Sequence, residues 1–281
     1  MKKILVSLLL ILSFNTQFCL AEKEAAKSED ALWDSLKQQT GEITLPKDIA
    51  KLNIPKEFYF LDKKDSRTLL VDIWKNPVQS STGVLGMIVP RKADYAVTIE
   101  YEEDGHVSDD DANEIDYTDL LEQMKKDVAQ NSKWRVKNGY SSISLVGWAA
   151  PPFYDKENHK LHWAQEIAFS DSEQNTLNYD IRILGRKGVL ILTFIAEMDE
   201  KANIDKDLDE VLNIANFNEG SRYNDFDPSI DKMAAYGIGA LVAGKVLAKT
   251  GIFIALLLLL KKFGIFLVIG VGLLMKKIFA R

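Results

Sequence analysis

Two histidines, His159 and His162, are the residues whose types and spacing come nearest to a metal or hydrolytic site. They stand three positions apart, with Asp155 before them and Glu166 after them. On a helix both imidazoles would share one face, but residues 155–158 have the composition of a turn, and the residues that follow have that of a strand. Side chains alternate between the two faces of a strand. The pattern therefore predicts that His159 and His162 diverge and bind no common metal ion.

A hydrolytic site in the same region is the enzymatic alternative. His162 and Glu166 would lie on one face of that strand, and Trp148 precedes a rigid proline-containing turn. The aromatic residues near this turn form either a binding surface or part of the core; they are Trp148, Phe153, Tyr154 and Trp163. The sequence contains no nucleophile elbow, phosphate-binding loop or dinucleotide fingerprint, so it predicts no catalytic residue, metal ligand or cofactor. We keep Trp148, His162 and Glu166 as surface candidates for an envelope hydrolase.

Residues 100–119 form the most acidic stretch of the chain, with ten acids and no lysine or arginine. The Asp-x-Asp-x-Asn pattern of residues 109–113 matches the first three ligand positions of a calcium-binding loop. The match ends there, because Glu114 stands where that loop requires glycine and Leu120 where it requires a bidentate acid. The stretch is therefore predicted to be a solvated hairpin tip that leads into a helix.

Lysines inside the apolar C-terminal tail, residues 233–281, are a third unusual feature, since this tail contains no acid. Lys261 and Lys262 lie near the middle of the 24-residue apolar stretch at residues 252–275. A lysine at the centre of a membrane helix costs about 2.5–3.5 kcal/mol, and two nearly cancel the contribution of the apolar side chains. A single straight crossing is therefore marginal. One crossing is the prediction, with a broken or hairpin arrangement as the alternative.

A stripe of small residues begins the same tail. Gly237, Ala240 and Gly244 stand at nearly four-residue spacing, which would let another helix approach closely. Lys245 and Lys249 follow, one helical turn apart, and require lipid headgroups or partner residues. We expect the tail to contact membrane lipid and to assemble with a second copy or with another membrane protein. The alternative is a transport or channel accessory that acts through the tail lysines.

The charge of the chain is divided between basic ends and an acidic middle. Residues 22–231 carry 25 of the 35 lysines and arginines against all 41 acids, a formal charge of −16. Such a surface opposes nucleic-acid binding, which needs a basic footprint, and it opposes flat binding to an anionic bilayer. The only cysteine, Cys19, can form no disulfide within the chain and leaves the middle without a thiol for catalysis or metal binding.

The N-terminus has the three parts of a secretory signal, with Lys2 and Lys3, an apolar segment at residues 4–12 and a small-x-small cleavage site that ends at Ala21. The nine apolar residues are too few to span a membrane as a helix. The chain is therefore predicted to have four parts, which are a signal peptide at residues 1–21, an exported domain at 22–218, a polar linker at 219–232 and a transmembrane region with a basic C-terminus at 233–281.

The hydrophobic periodicity of the exported domain predicts both helices and strands. The predicted fold class is α+β, a mainly antiparallel sheet packed with helices, followed by a C-terminal membrane helical segment. The predicted helices are residues 66–74, 117–137 and 203–214. The predicted strands are residues 43–45, 58–61, 84–89, 95–101, 143–148, 161–169, 177–184 and 189–197.

Four segments are long and unusual in composition: GWAAPPFYD, LHWAQE, LNYDIRILGRKGVL and RYNDFDPSIDKMAAYGIGALVAGKV. Together they resemble a bacterial family of uncharacterised membrane-anchored proteins, domain of unknown function (DUF) 2167. The resemblance runs from about Ile43 to the C-terminus and is strongest over residues 147–245. It implies an exported domain with a C-terminal membrane segment, and it supplies no reaction and no catalytic residue.

These observations together predict a protein of the bacterial inner membrane. Its main domain would lie in the periplasm, and the basic residues at its end favour a cytoplasmic C-terminus. The most coherent role is that of a non-enzymatic interaction module exposed outside the cytoplasm. The envelope hydrolase and the transport accessory described above are the two alternatives.

Overall fold

The structure is a computed structural model that describes residues 31–112 and 116–243. Its strands are β1 (Gly41–Thr44), β2 (Ala50–Ile54), β3 (Phe58–Asp62), β4 (Val84–Pro90), β5 (Tyr95–Glu102), β6 (Ile143–Asp155), β7 (Lys160–Phe169), β8 (Thr176–Leu184), β9 (Val189–Glu197) and β10 (Ala215–Phe217). Its α-helices are α1 (Lys63–Arg67), α2 (Tyr117–Lys137), α3 (Lys201–Ile214) and α4 (Ile238–Ala243). The predicted mixture of helices and mainly antiparallel strands is confirmed.

A seven-stranded antiparallel sheet forms the centre of the fold, in the order β3-β4-β5-β9-β8-β7-β6. Its most apolar strand, β9, lies between β5 and β8, as its continuous hydrophobic sequence predicts. The tight turn at residues 185–188 joins β8 to β9, and the two strands pair from Thr176 opposite Glu197 to Leu184 opposite Val189. The pairing of β4 with β5 is also confirmed.

One face of the large sheet, called here the core face, carries the inward residues of β5, β8 and β9. It packs against α3 and against a three-stranded sheet of order β1-β2-β10. The largest apolar side chains of this core that are almost fully buried include Leu52, Phe58, Ile99, Leu177, Ile181 and Phe194.

The opposite face, called here the groove face, carries the alternate side chains of the same strands. Helix α1 and the π-helical turn Thr68–Ile73 cover it at the β3–β5 end, where Leu61, Leu69 and Met87 form a second apolar cluster. Helix α2 lies along β6 at the other end. A third cluster lies beneath the C-terminal segment and contains Val107, Trp163 and Ile238. The region between these covers stays open.

Helix α2 begins and ends where the sequence predicts. The Asp116 side chain accepts hydrogen bonds from the backbone nitrogens of Thr118 and Asp119, which satisfies donors that the first turn leaves free. Gly139, just after the helix, has φ of +82°, the left-handed conformation that glycine adopts at little cost.

The structure differs from the prediction in several short elements. Strands β2 and β10 were not predicted; β2 alternates buried and exposed residues, and β10, with only three residues, is defined by its pairing with β2. Helix α1 begins at Lys63 rather than at Ser66, since the Asp62 carboxylate caps the backbone nitrogens of Lys64 and Asp65. Strand β6 continues to Asp155 through shifts of register, so it includes the prolines that were expected to end it.

Within residues 31–112 and 116–243, no helix is both long enough and apolar enough to cross a membrane. The predicted signal peptide and almost all of the predicted transmembrane region lie outside the described residues.

Candidate functional site

The C-terminal segment, residues 219–243, packs against the body of the protein, and this contact is called here the junction. Backbone hydrogen bonds fasten it in two places. The nitrogen of His106 donates to the carbonyl of Lys232 at 2.9 Å, and the nitrogen of Ala234 donates to the carbonyl of His106 at 2.8 Å. The nitrogen of Arg186 donates to the carbonyl of Ser221 at 2.9 Å. The stretch predicted as a polar linker is therefore a packed part of the body.

Four aromatic rings stack in a continuous column at the junction, in the order Phe226, His106, Tyr223 and His159. The centroids of Phe226 and His106 are 4.0 Å apart, those of His106 and Tyr223 are 4.3 Å apart, and those of Tyr223 and His159 are 4.0 Å apart. Two of these rings come from the C-terminal segment and two from the body. His106 of the body therefore lies between two rings of the segment, and Tyr223 of the segment lies between two rings of the body. These contacts join the segment to the body.

A chain of polar contacts lies beside the ring column. The hydroxyl of Tyr154 donates to Asp109 Oδ2 at 2.8 Å and lies 3.3 Å from His159 Nδ1. The hydroxyl of Tyr223 lies 3.2 Å from both Asp109 Oδ1 and the carbonyl of Val107, which are two acceptors for its single proton. Burial, reinforced by Asp109, raises the pKa of both tyrosines, so both hydroxyls stay protonated and act as donors.

An ion pair anchors the middle of the segment. Asp231 Oδ2 accepts from Arg186 Nε at 2.7 Å and from the backbone nitrogen of Asp227 at 2.8 Å. The Asp231 side chain is only 2% exposed. The hydrogen bond from Arg186 lowers the pKa of Asp231, which keeps this carboxylate charged and available as an acceptor.

The start of α4 rests on a second carboxylate of the acidic stretch. Asp111 Oδ1 accepts from the backbone nitrogen of Ile238 at 3.0 Å. A Cβ atom at Gly237 would overlap the Asp111 carboxylate, so the absence of a side chain permits the contact. Beyond it, Ile238 and its apolar neighbours on α4 are buried against the groove face. The hydroxyl of Tyr236 also donates to Asp104 at 2.8 Å.

The prediction that residues 100–119 form a solvated hairpin tip is wrong for the part before α2. Three of its carboxylates, on Asp104, Asp109 and Asp111, accept hydrogen bonds from the junction. Asp109 and Asp111 belong to the calcium-like pattern of residues 109–113, yet both carboxylates already accept hydrogen bonds from donors of their own chain. Within the described residues, no group of three or more His, Cys, Asp or Glu side chains is arranged to hold a metal ion.

The candidate hydrolytic residues occupy separate environments. His162 and Glu166 lie four residues apart on β7, which separates their Cα atoms by roughly 13 Å. His162 packs near Phe153, whereas Glu166 accepts from the Asn175 side chain at 2.6 Å. Trp148 Nε1 donates to the carbonyl of Tyr117 at 3.3 Å. These three residues therefore form no common site.

The predicted divergence of the two histidines agrees with the geometry. His159 lies in the turn before β7 and contacts Tyr154 and Tyr223, whereas His162 contacts Phe153. The aromatic residues near the proline turn separate in the same way: Trp163 is almost fully buried, while Phe153 is 64% exposed.

The small-residue stripe of the tail is only partly described. Gly237 and Ala240 belong to the junction, where Gly237 lies against Asp111, so its close approach is to a carboxylate of the body rather than to another helix. The remaining candidates lie outside the described residues; they are Gly244, Lys245, Lys249, Lys261 and Lys262.

Sequence reasoning missed the residues that build the junction, above all His106, Asp109, Tyr154 and Tyr223. One signal was available, since aromatic residues punctuate an otherwise polar linker, which is unusual for a segment exposed to water. At the junction, carboxylates accept hydrogen bonds from hydroxyl and backbone amide donors, and aromatic rings contact one another. Such an arrangement holds a segment in place. Its carboxylates already accept hydrogen bonds from these donors, whereas His106 Nδ1 is buried without a partner among the described residues.

Acidification is expected to loosen the junction through His106. Burial lowers the pKa of His106 from its ordinary value of 6.5, against smaller opposing effects of the backbone groups of Gly185 and Arg186 and of the charges on Asp109 and Asp231. The unfolded chain therefore binds this proton more readily than the folded one. The free energy of unfolding should fall as the pH drops below about 6.5.

The variant His106→Phe tests this expectation, because phenylalanine keeps the ring contacts to Phe226 and Tyr223 and cannot titrate. Its melting temperature should fall less than that of the wild type between about pH 8 and pH 5. His162→Phe is the comparison variant. His162 lies outside the junction, and burial lowers its pKa as well. Equal acid sensitivity of wild type and His106→Phe would contradict the assignment.

Comparison with known proteins finds a matching family model. A family model described as a protein of unknown function (DUF2167) matches residues 37–272. No curated protein matches the chain.

Two solved structures resemble the chain at low identity. The solution structure of cyanobacterial PsbP (CyanoP) from Synechocystis sp. PCC 6803 is 12% identical with a TM-score of 0.37, over 63% of this chain and 91% of that chain. The crystal structure of the Saccharomyces cerevisiae Ran-binding protein Mog1p is 11% identical with a TM-score of 0.30, over 65% of this chain and 96% of that chain. Likenesses at this level leave the function open.

Proposed function

The chain belongs to the DUF2167 family, and from that premise we propose that it is a membrane-anchored envelope protein whose body, outside the cytoplasm, is a non-enzymatic interaction module. In this proposal residues 1–21 are an export signal and the apolar tail is the anchor, with its basic C-terminus in the cytoplasm. The tail contacts membrane lipid and assembles with a second copy or with another membrane protein.

The main observation behind the proposal is the docking of residues 219–243 on the body. A flexible tether would leave an exported domain free to rotate above its anchor. Here the ring column, the Arg186–Asp231 ion pair and the Asp111 contact hold the chain as far as Ala243. The segment that leads into the apolar tail is therefore fixed at a defined position on the body. An interaction module that presents one surface to a partner needs such a fixed connection.

The distribution of charge also supports the proposal. The acidic middle of the chain, at −16, is repelled by anionic lipid, whereas the tail contains lysines and one arginine and no acid. The body is thus expected to stand away from the bilayer surface while the basic residues meet the headgroups. The hydrolase alternative is less well supported, because His162 and Glu166 have separate partners.

Cell fractionation tests the anchoring and the orientation. The full chain should sediment with membranes and resist alkaline carbonate extraction, whereas a chain that ends at Ala243 should be released as a soluble exported protein. Protease added to intact spheroplasts should digest the body of the full chain. Recovery of the full chain in the soluble fraction, or protection of its body in spheroplasts, would refute the proposed topology.

Crosslinking in intact membranes tests the interaction role. We expect the full chain to form a discrete crosslinked product, and we expect the chain that ends at Ala243 to lose it, because the proposed contact lies in the tail. A protein that stays strictly monomeric in its native membrane would argue against an interaction module. A variant with leucine in place of Lys261 and Lys262 is the control that tests whether these lysines contribute to the crosslinked product. This variant should keep its membrane association.

A further inference from the structure

A groove of about 650 Å³ crosses the open part of the groove face. Its floor is made by residues of three central strands, β5, β9 and β8. Leu70 and Trp74 line one side, next to the Thr68–Ile73 turn, and Arg135 and Tyr140 line the other, at the C-terminal end of α2. Its size lies within the range of roughly 300–1,000 Å³ that is typical of ligand-binding clefts.

The floor of the groove is polar in the middle of a sheet whose surroundings are apolar. Thr98 on β5 pairs with Thr193 on β9, and Thr98 is only 5% exposed. Beside Thr193, on the neighbouring strand β8, Asp180 accepts from the Thr193 hydroxyl at 2.7 Å and from Arg182 at 3.1 Å, and Arg182 lies over the ring of Trp163. This network holds the floor in one arrangement.

Several polar side chains that line the groove have no hydrogen-bonding partner in the part of the chain that the structure describes. Within the described residues, Thr98, Glu100 and Asn178 make no side-chain hydrogen bond, although all three line the groove. Burial raises the pKa of Glu100, while the charge of Arg182 acts in the opposite direction. None of these side chains has a polar atom that is buried without a partner, so their oxygen and nitrogen atoms are accessible from the groove. There they can meet a ligand rich in hydroxyl or amide groups.

The charges that line the groove are balanced. Two cations, Lys75 and Arg135, stand against two carboxylates, Glu100 and Asp171. The Arg135 guanidinium is also engaged, because it donates to the carbonyl of Ser141 at 2.9 Å and lies near the rings of Tyr140 and Phe169. A phosphate or a polyamine would gain little here over water, whereas a neutral ligand avoids the cost of burying a net charge.

Aromatic side chains complete the groove. Trp74 is 37% exposed at its rim, and Tyr140 and Phe169 line the opposite side. A sugar ring has hydroxyl groups at its edges and C–H groups on its faces, so it can stack on an indole while its hydroxyls meet carboxylate, amide and hydroxyl side chains. The cleft is open to solvent and its volume of about 650 Å³ leaves room for more than one such ring.

We propose that this groove binds a neutral saccharide chain, with Trp74 as its stacking platform and Thr98, Glu100 and Asn178 as its hydrogen-bond partners. The inference goes beyond the proposed function, because binding at this groove requires neither the membrane anchor nor a protein partner. Failure of one proposal therefore leaves the other standing.

Calorimetric titration of the purified full chain tests the proposal. The protein is kept in a detergent without a sugar headgroup, since a glucoside or maltoside would compete for the groove. Chitotetraose and maltotetraose are the neutral probes, and spermidine and inorganic phosphate are the charged ones. We expect at least one neutral probe to bind with a dissociation constant in the micromolar to millimolar range and neither charged probe to bind.

Two variants with matched controls locate the binding. Trp74→Ala should weaken the affinity about tenfold, while Trp33→Ala, at a tryptophan of similar exposure outside this groove, should leave it unchanged. Glu100→Gln, which has nearly the same shape, should weaken it about fivefold, and Glu102→Gln on the same strand should not. Circular dichroism checks that each variant is folded.

Two results would overturn the proposal. One is the absence of binding by both neutral oligosaccharides, or binding of only a charged probe. The other is an affinity for the neutral probe that is unchanged in both Trp74→Ala and Glu100→Gln. The second variant keeps the test decisive if Trp74→Ala fails to fold.

Discussion

The substitution Gly237→Val is expected to release the C-terminal segment from the body. A side chain at this position overlaps the Asp111 carboxylate, which would have to rotate away and lose the hydrogen bond from the Ile238 nitrogen. Overpacking of a close contact typically costs about 1–3 kcal/mol, and a hydrogen bond to a charged group contributes about 1.5–3 kcal/mol. We therefore expect the free energy of unfolding to fall by about 2–4 kcal/mol.

A cysteine reporter distinguishes release of the segment from general destabilisation. Val242 lies on α4 and is buried against the body, so Val242→Cys in a Cys19→Ser background should react slowly with a maleimide when the segment is docked. Adding Gly237→Val should make the same cysteine react rapidly at temperatures well below global unfolding. Slow labelling in both backgrounds would show that the segment remains docked and that the carboxylate adapts.

The matched control is Gly147→Val. A Cβ atom there meets nothing within 4 Å, and Gly147 lies in strand β6, where valine is well tolerated. The same side chain should therefore change the free energy of unfolding by no more than about 0.5 kcal/mol. Loss of stability comparable to that of Gly237→Val would mean that the cost of the added side chain does not depend on the contact with Asp111.

The substitution Trp163→Ala should produce the largest loss of stability on the groove face. Trp163 is 2% exposed, packs in the apolar cluster with Ile238 and Val107, and supports the Arg182 guanidinium 4.9 Å from its ring centre. Removing a buried tryptophan side chain typically costs about 3–5 kcal/mol, because transfer and cavity contributions add. The loss should be measured by denaturant unfolding of the full chain.

Two further variants sharpen this prediction. Trp163→Phe should cost less than Trp163→Ala, since most of the volume is kept and the indole nitrogen, which is buried without a partner among the described residues, is removed. Trp33→Ala is the surface comparison, because Trp33 is 39% exposed and its removal should change stability little. Equal losses in Trp163→Ala and Trp33→Ala would contradict the burial on which the prediction rests.

Most of the large sheet could be predicted from the sequence, since its elements have strong local patterns. Strand β9 has a continuous apolar run bounded by a glycine turn, and helix α2 has an N-cap aspartate, an apolar stripe and a terminal glycine. Such signals depend only on neighbouring residues. Strand β10 shows the opposite case, because Ala215 pairs with Leu52 far away in sequence and only three residues take part.

The acidic stretch illustrates what local patterns omit. Asp109 and Asp111 were predicted to be solvated acids, and Tyr223 was assigned to a polar linker, because each was judged from its neighbours in sequence. In the fold, the Tyr223 hydroxyl lies beside Asp109, and Asp111 caps α4. A carboxylate can accept a hydrogen bond from any well-placed donor. Its partner therefore depends on which distant segment packs beside it and not on its neighbours in sequence.

Composition and periodicity therefore determined the division of charge, the α+β class and most of the strands, and four sequence segments supplied the resemblance to one family. The tertiary structure alone decided that residues 219–243 pack on the body, that Asp109 and Asp111 accept hydrogen bonds at the junction, and that the groove face is polar at its centre. The physical reason is the same in each case. Strand and helix signals arise within a few residues, whereas ring stacks, ion pairs and clefts require segments that meet only after the sheet has formed.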